Sequence, residues 1–201
     1  MLLHAILPAS RANGPGLRAV VFLQGCSLSC EMCFNPHTHM FHGPEMTPEE
    51  VVDTLIHARH QHAFEGITFS GGEPMQQADS LLALVQMLRP RIPGLSFGMF
   101  SGYTERELDE GRYSVWGGKL QTPEKCSLWQ AIRASLDFAV LGRFNHLLPS
   151  EAPLRSSRNQ VLRLFSDRYT RADFAEQLTE VHINETGTSE VTGFPILGLP
   201  W

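Results

Sequence analysis

The chain has 201 residues, of which 42% are hydrophobic and 18% charged, and its net charge is −5. This composition is typical of a globular protein with a sizeable core, and we expect a single domain over residues 1–201. The weak negative charge does not favour nucleic acid or an anionic membrane as partner, and no apolar stretch approaches the ~20 residues that span a bilayer.

Strands and helices are predicted to alternate from the start of the chain. The apolar run 19–23 predicts a strand buried on both faces, and a loop with three cysteines follows it directly. A T-x-x-E capping box at 47–50 predicts the start of a helix. Residues 66–70 predict a second strand, closed by the glycine-rich run 71–74, and we expect Pro90 to stop the helix that comes next.

The second half of the chain continues the alternation but contains two irregular stretches. The predicted elements are, in order, a strand (95–100), a short helix (104–110), a long loop (111–127), a helix (128–136), a strand (138–141), an irregular stretch (142–158), a strand (161–165), a helix (171–178) and a terminal strand or hairpin (180–194) turning at 185–187.

This alternation implies parallel βαβ units and an α/β fold. About five units are too few for a closed eight-stranded barrel, and they suit an open, curved, mostly parallel sheet of partial-barrel type or a doubly wound sheet. Ligands of both architectures bind at the C-terminal ends of the strands. Because the cysteine-bearing and glycine-rich runs each follow a strand, we expect them to share one site.

The cysteine spacing is the most informative feature of the sequence. Cys26, Cys30 and Cys33 form a C-x3-C-x2-C pattern. Cysteine thiolates hold iron–sulfur clusters, and three of them would leave the fourth iron of a 4Fe–4S cubane with an open coordination position, where chemistry takes place. The chain begins without the basic and apolar regions of a secretory signal. Clustered cysteines in such a chain indicate metal binding in a reducing cytoplasm.

Other sites compete with the open cubane. A structural zinc ion would take the three cysteines and either His37 or His39. A ferredoxin-like cluster would recruit Cys126 as its fourth ligand, although ferredoxins usually space their ligands differently. A disulfide framework suits short secreted chains better than this one. We expect Cys126 to be a free thiol, and the histidines between 57 and 62 to lie on the solvated face of a helix.

The flanks of these motifs resemble a known family. The sequence is similar to the small activating enzymes of the radical S-adenosylmethionine (radical SAM) superfamily, which install a glycyl radical on a partner protein. Among them it most resembles the activases of anaerobic ribonucleotide reductase, with pyruvate formate-lyase activases as longer relatives. The resemblance rests on residues 13–18, 24–26, 33–35, 70–74, 102–104 and 107–108, and more weakly on 141–160 and 192–195.

Three features depart from that family. Met32 stands where many radical SAM proteins have an aromatic residue and the ribonucleotide-reductase activases a glycine. Residues 142–160 lack the full expected pattern, and 111–127 resembles an insertion.

The resemblance implies a radical SAM fold of the partial (β/α) barrel type and a defined cofactor set. A 4Fe–4S cluster on Cys26, Cys30 and Cys33 would bind S-adenosylmethionine at its open iron, and reduction would cleave this ligand to methionine and a 5′-deoxyadenosyl radical. No catalytic side chain is implied beyond the cluster site. The implied partners are a glycyl radical enzyme and a reductant such as flavodoxin or ferredoxin.

The resemblance also implies residues that contact S-adenosylmethionine. Gly71 and Gly72 would let the backbone approach it, and Glu73 would accept hydrogen bonds from its cationic amino group. A simple strand-to-helix turn explains the same run equally well when it is taken alone. The remaining candidates are Pro74 in the same run, Ser101 and Tyr103 beside the adenosine or merely in the next loop, and Asn35 as an orienting residue or a cap of the cysteine-bearing loop.

Two other functions remain open at this point. A radical SAM enzyme that modifies a small molecule or a ribosomal peptide would use the inserted loop 111–127 as its pocket. A non-catalytic iron–sulfur or zinc-binding module would need only the cysteines.

Overall fold

A computed structural model describes residues 1–174, 179–183 and 189–193. Its centre is a six-stranded sheet in which strands adjacent in sequence are also neighbours in space. The strands are β1 (Leu3–Ser10), β2 (Arg18–Leu23), β3 (Gly66–Gly71), β4 (Ser96–Ser101), β5 (Phe138–Leu141) and β6 (Val161–Leu164). The pairs from β2 to β5 are parallel, whereas β1 and β6 pair antiparallel at the two edges. The predicted α/β class and mostly parallel sheet are therefore confirmed, and the unreversed strand order excludes a doubly wound sheet.

The helices connect the parallel strands and form one layer. They are α1 (Pro48–His62), α2 (Ala78–Arg91), α3 (Glu105–Asp109) and α4 (Thr122–Arg133). Helix α1 packs against α2, and α2 packs against α4. Three short 3-10 helices cover Pro36–Thr38, Pro74–Gln77 and Arg171–Phe174.

The core lies on both faces of the sheet because side chains alternate along each strand. Val21, Phe69 and Met99 belong to a large cluster that includes the buried sides of the helices. On the other face, Phe138 and Val140 form a smaller cluster with side chains of the later segments, namely Leu154, Leu162 and Phe174.

Helix ends follow local chemistry, with one exception. The predicted capping box is present, since the Thr47 side chain accepts from the Glu50 N–H and the Glu50 carboxylate accepts from the Thr47 N–H. Pro90 does not stop α2, which continues to Arg91. The proline lies one residue before the helix end, so the hydrogen bond that it cannot donate is lost only from the last turn.

The loop predicted over 111–127 is too long. Helix α4 begins at Thr122, because the Glu124 carboxylate caps the Gln121 N–H at 2.7 Å and a buried face is formed by Trp129 and Ile132. No strand was predicted for β1, whose pairing with β2 is interrupted by register shifts that blur its alternation. The segment 142–158 contains no helix or strand, as predicted.

The C-terminal prediction of a hairpin is confirmed for the residues that the structure describes. Strands β7 (Thr179–Ile183) and β8 (Ser189–Gly193) pair antiparallel. The turn predicted at 185–187 and the last part of the helix predicted over 171–178 lie outside the described residues. Within the described ranges, no helix is long and apolar enough to cross a membrane.

Candidate functional site

The exits of the parallel strands meet at one edge of the sheet. The glycine-rich loop (residues 71–74) follows β3, and the cysteine loop (residues 25–42) follows β2. The Gly72 N–H donates to the Leu23 carbonyl at 2.7 Å, and the Glu73 N–H donates to the Gly25 carbonyl at 2.9 Å. The two runs that the sequence predicted to share a site are therefore joined by their backbones.

The cysteine loop folds back on itself. The Gly25 N–H donates to the Thr38 carbonyl at 2.7 Å, and the Cys26 N–H donates to the His39 carbonyl at 3.0 Å. The Gln24 side chain, just before the loop, donates to the Met40 carbonyl at 2.7 Å. These bonds close the loop, so all three cysteines lie on one short, backbone-tied segment.

Ser29 and Met32 have left-handed backbones, with φ of 49° and 56°. Each directly precedes a cysteine, and this conformation is strained for residues other than glycine. A glycine at position 32, having no Cβ, would adopt the same backbone without this strain.

The three thiols are half-buried neighbours. Burial raises the pKa of Cys26 to about 11, the Leu28 N–H opposes the rise, and the nearby Glu73, Cys30 and Cys33 increase it further. Cys26 is thus influenced by both other thiols, and Cys30 by Cys33. Their protons would have to leave when a metal binds, because thiolates are the ligands of metals.

Cys30 is in addition contacted by the segment after β5. Burial and Cys33 raise the pKa of Cys30, whereas the Phe144 N–H and the Arg143 guanidinium act in the opposite direction. The rings of Phe144 and Phe34 pack with their centroids 4.8 Å apart. The β5 exit therefore joins the site and supplies both a backbone donor and a positive charge.

The donor set of three cysteines fits an iron–sulfur cluster, because cysteine thiolates are the usual ligands of its irons. Within residues 1–174, 179–183 and 189–193, no three His, Cys, Asp or Glu side chains converge closely enough to hold one metal ion. His39 Nε2 is buried without a hydrogen-bond partner. All four cysteines are free, so the disulfide alternative is wrong.

Cys126 lies on α4, away from the cysteine loop in sequence. Its thiol donates to the Asp109 carbonyl at 3.2 Å, which ties α4 to the end of α3. This contact gives it a structural partner of its own.

Both glycines of the glycine-rich loop are required by the backbone beside them. Gly71 has φ +90°, and a Cβ there would lie 2.6 Å from the Leu23 carbonyl oxygen. A Cβ on Gly72 would collide with the Gly25 carbonyl. Because neither residue has a Cβ, the glycine-rich loop can approach the backbone of β2 and the cysteine loop closely. Contact with a ligand at these residues stays a prediction.

Glu73 is buried, with 1% of its surface exposed. One carboxylate oxygen accepts from the Met75 N–H at 2.9 Å and the Ser101 hydroxyl at 2.8 Å, and the other accepts from the Gly102 N–H at 2.7 Å. Burial raises the pKa of Glu73 to about 7 despite these donors. A carboxylate has about four acceptor positions, so about one remains for a cationic group, which would favour the ionised form.

The other predicted residues take varied positions. Ser101 bridges Glu73 to the Tyr103 N–H, and Tyr103 is buried beside it. Pro74 is the buried first residue of its 3-10 helix. The Asn35 side chain makes no capping hydrogen bond, and only its carbonyl accepts, from Thr38.

Two residues outside the predicted set of ligand-binding residues also contribute to the site. Arg143 donates to both carboxylate oxygens of Glu107 at 2.9 Å and lies over the Tyr103 ring, 5.5 Å from its centroid. Gln76 is buried and hydrogen-bonded to the cysteine loop. A buried glutamine has no pattern in a single sequence that separates it from a solvated one, so only the fold identifies it.

Exposed apolar side chains lie on the cysteine loop and beside it. Trp116 stacks on Phe41 of this loop with ring centroids 5.9 Å apart, and Leu147 directly follows His146, whose Nε2 lies 4.0 Å from the Glu31 carboxylate of the loop. Five of the nine exposed large hydrophobic residues among those described belong to this apolar rim, which consists of Met32, Phe34, Met40, Trp116 and Leu147. Such a concentration is typical of an interaction surface.

Comparisons with known proteins agree with the cysteine chemistry. Residues 12–163 match the model of a family described as a 4Fe-4S single cluster domain. The chain is 28% identical to an anaerobic ribonucleoside-triphosphate reductase-activating protein of Vibrio cholerae, over 81% of this chain and 97% of that one. It is 31% identical to the protein of the same name from Salmonella typhi, over 57% of this chain and 77% of that one.

A longer relative matches over a shorter region. The chain is 39% identical to a pyruvate formate-lyase-activating enzyme of Clostridium pasteurianum, over 43% of this chain. The match spans only 38% of the length of that relative.

Proposed function

Since this chain belongs to the 4Fe-4S single cluster domain family and is an enzyme of the radical SAM, glycyl-radical-activating type, we propose that it uses S-adenosylmethionine to install a glycyl radical on a partner similar to anaerobic ribonucleotide reductase. Cys26, Cys30 and Cys33 would hold a 4Fe–4S cluster. The observation that carries the proposal is the backbone link between the cysteine loop and the glycine-rich loop, which joins the cluster ligands to the predicted S-adenosylmethionine contacts.

The cluster, when bound and reduced, supplies the electron that cleaves S-adenosylmethionine. Glu73 would orient this ligand, because its remaining acceptor position lies in a buried setting where a charge-assisted hydrogen bond is strong. Ser101 and Gly102 hold that carboxylate in place. We further propose that Tyr103 lies near the adenosine, since its backbone is tied to Ser101.

The open sheet supports a partial (β/α) barrel of the radical SAM type. Its four parallel strands follow one another in space without reversal, as in a barrel, while β1 and β6 end the sheet at its two edges. An incomplete barrel leaves room for a large substrate beside the strand ends, which suits a protein rather than a small molecule.

The apolar rim supports a protein partner. A carbon-centred radical must contact the atom from which it takes hydrogen, and water must be excluded from that contact. Exposed apolar side chains around the cysteine loop provide one half of such an enclosure, and a docked polypeptide would provide the other half. Flavodoxin or ferredoxin would deliver the electron, and a reducing cytoplasm would keep the thiols free.

The first test is electron paramagnetic resonance of the anaerobically reconstituted, reduced protein. A 4Fe–4S signal that changes when S-adenosylmethionine is added supports the proposal, and a signal that ignores the addition contradicts it. Bound zinc and a colourless protein would favour the structural module instead.

The second test concerns the partner. A purified anaerobic ribonucleoside-triphosphate reductase should acquire a protein-borne radical, with about one activation per partner chain. Steady turnover of a small molecule or peptide without any protein radical would contradict the activase function and favour the alternative radical SAM function.

A further inference from the structure

Gln76 lies where the glycine-rich loop enters its 3-10 helix, and its side chain reaches the cysteine loop. Its Oε1 accepts from the Ser27 N–H at 2.9 Å, and its Nε2 donates to the Ser27 hydroxyl at 2.7 Å. Ser27 directly follows Cys26. One side chain therefore holds the first turn of the cysteine loop with two hydrogen bonds.

The same residue is bound to the glycine-rich loop and to the segment that follows β4. The Gln76 N–H donates to the Glu73 carbonyl at 3.0 Å, and Nε2 donates to the Tyr103 hydroxyl at 2.9 Å. Gln76 is 1% exposed, and both amide protons and the amide oxygen are used. Buried amides that are fully paired specify one geometry, because any shift leaves a polar group without a partner.

The inserted segment, residues 111–121 before α4, is attached at the same point. The Trp116 N–H donates to the Gln76 carbonyl at 2.7 Å, and the Ser114 N–H donates to the Tyr103 hydroxyl at 3.0 Å. Trp116 then stacks on Phe41 of the cysteine loop. The inserted segment and the cysteine loop are thereby held by one buried glutamine and one buried tyrosine.

We propose that Gln76 is a positioning residue that keeps the cysteine loop aligned with the glycine-rich loop, and that the inserted segment is part of the same hydrogen-bonded unit. This inference rests on the proposed function, because the two loops would carry the cluster and the S-adenosylmethionine contacts respectively. Gln76 acts through Ser27 and Tyr103 and touches no reacting atom.

Gln77 offers a matched control. It lies in the same 3-10 helix, is also buried, and makes three hydrogen bonds through its side chain. Those bonds go to the Leu2 N–H, the Leu2 carbonyl and the Gln24 carbonyl, and thus to the chain's N-terminus and the end of β2. Gln76→Leu and Gln77→Leu should therefore lower Tm by similar amounts.

Only Gln76→Leu should weaken the binding of S-adenosylmethionine. With the three cysteines intact, the Gln76→Leu protein should retain its iron, while its Kd for S-adenosylmethionine, measured from the change in the cluster signal, rises about tenfold, which corresponds to about 1.4 kcal/mol. Gln77→Leu should leave this Kd within about twofold of the wild-type value.

The cluster-free protein provides a readout that is independent of S-adenosylmethionine. Hydrogen exchange at the Ser27 amide should accelerate at least about tenfold in Gln76→Leu and remain slow in Gln77→Leu. Gln76→Glu retains an acceptor for the Ser27 N–H, and the hydroxyls of Ser27 and Tyr103 can turn to donate to the new carboxylate, so the Ser27 amide should stay protected.

The outcomes separate this inference from the proposed function. A wild-type cluster signal that ignores S-adenosylmethionine would contradict the proposed function and, with it, the alignment role of Gln76. If the wild-type protein binds the ligand but the Gln76→Leu and Gln77→Leu proteins have equal Kd values and equal Ser27 exchange, the positioning role is wrong and the proposed function is unaffected.

Discussion

The guanidinium of Arg143 lies 2.9 Å from each carboxylate oxygen of Glu107 and so fastens the segment after β5 to the start of α3. Arg143 also lies over the Tyr103 ring and opposes the rise in the pKa of Cys30. Arg143 therefore connects the cysteine loop to α3, and we expect its ion pair with Glu107 to contribute to stability.

That contribution should depend on pH. Burial raises the pKa of Glu107, but hydrogen bonds from Arg143 and Thr104 outweigh this effect and lower the pKa to about 2 from an ordinary value of 4.5. Because the folded pKa is depressed, the stabilisation is fully present above pH 4.5 and is lost as the pH falls through about 2. Solvent reduces it to about 1–2 kcal/mol, since Arg143 is partly exposed.

Urea unfolding of the wild-type and Arg143→Gln proteins at several pH values measures this effect. The difference in the free energy of unfolding should be largest near neutral pH and shrink as the pH falls from about 4.5 towards 2. A difference that does not change with pH would mean that the ion pair is not its source.

The cysteines should divide into two classes. Replacement of Cys26, Cys30 or Cys33 by serine should remove most of the cluster, because each would bind one iron. Cys126→Ala should keep full iron, since Cys126 is tied to Asp109 in the structure. Iron and sulfide analysis of the reconstituted variants distinguishes cluster ligands from cysteines that do not bind the cluster. A loss of about a quarter of the iron in Cys126→Ala would make Cys126 a ligand.

Gly72→Ala should disturb the site beyond its cost in stability. The added Cβ would collide with the Gly25 carbonyl, which must move and shift the cysteine loop. We expect a loss of about 1–3 kcal/mol in stability and a several-fold weaker response of the cluster signal to S-adenosylmethionine. Gly94→Ala is the control, because a Cβ added there would have no atom within 4 Å. Its φ of +78° means that the substitution still strains the backbone. It should cost only backbone strain and leave the cluster signal unchanged.

The apolar rim should affect the partner and not the cofactor. Leu147→Ser should slow radical formation on a limiting partner about tenfold, as expected when one leucine no longer becomes buried on docking, while the cluster signal with S-adenosylmethionine stays the same. Ile183→Ser is a matched control, since Ile183 and Leu147 are both 72% exposed and Ile183 lies on β7. Equal effects of the two substitutions would rule out a docking role for the rim.

Local interactions explain what could be predicted from the sequence. The T-x-x-E box at 47–50 forms through neighbours in the chain, and the continuous apolar run of β2 indicates a buried strand whichever strands pair with it; both are confirmed. The start of α4 was missed although its cap is equally local, because Gln121 is an unusual residue before a first turn. The edge strand β1 was missed because its irregular pairing hides the alternation of side chains.

The sequence by itself determined the cysteine spacing, the α/β alternation and the placement of both motifs after strands, since each depends on residues that lie close together in the chain. Only the tertiary structure decided that β6 runs antiparallel, that Glu73 is held by Ser101 and Gly102, and that Gln76 binds Ser27. Those last two residues are 49 positions apart. A hydrogen bond over such a separation exists only because the parallel sheet brings the strand exits together, and no local pattern encodes it.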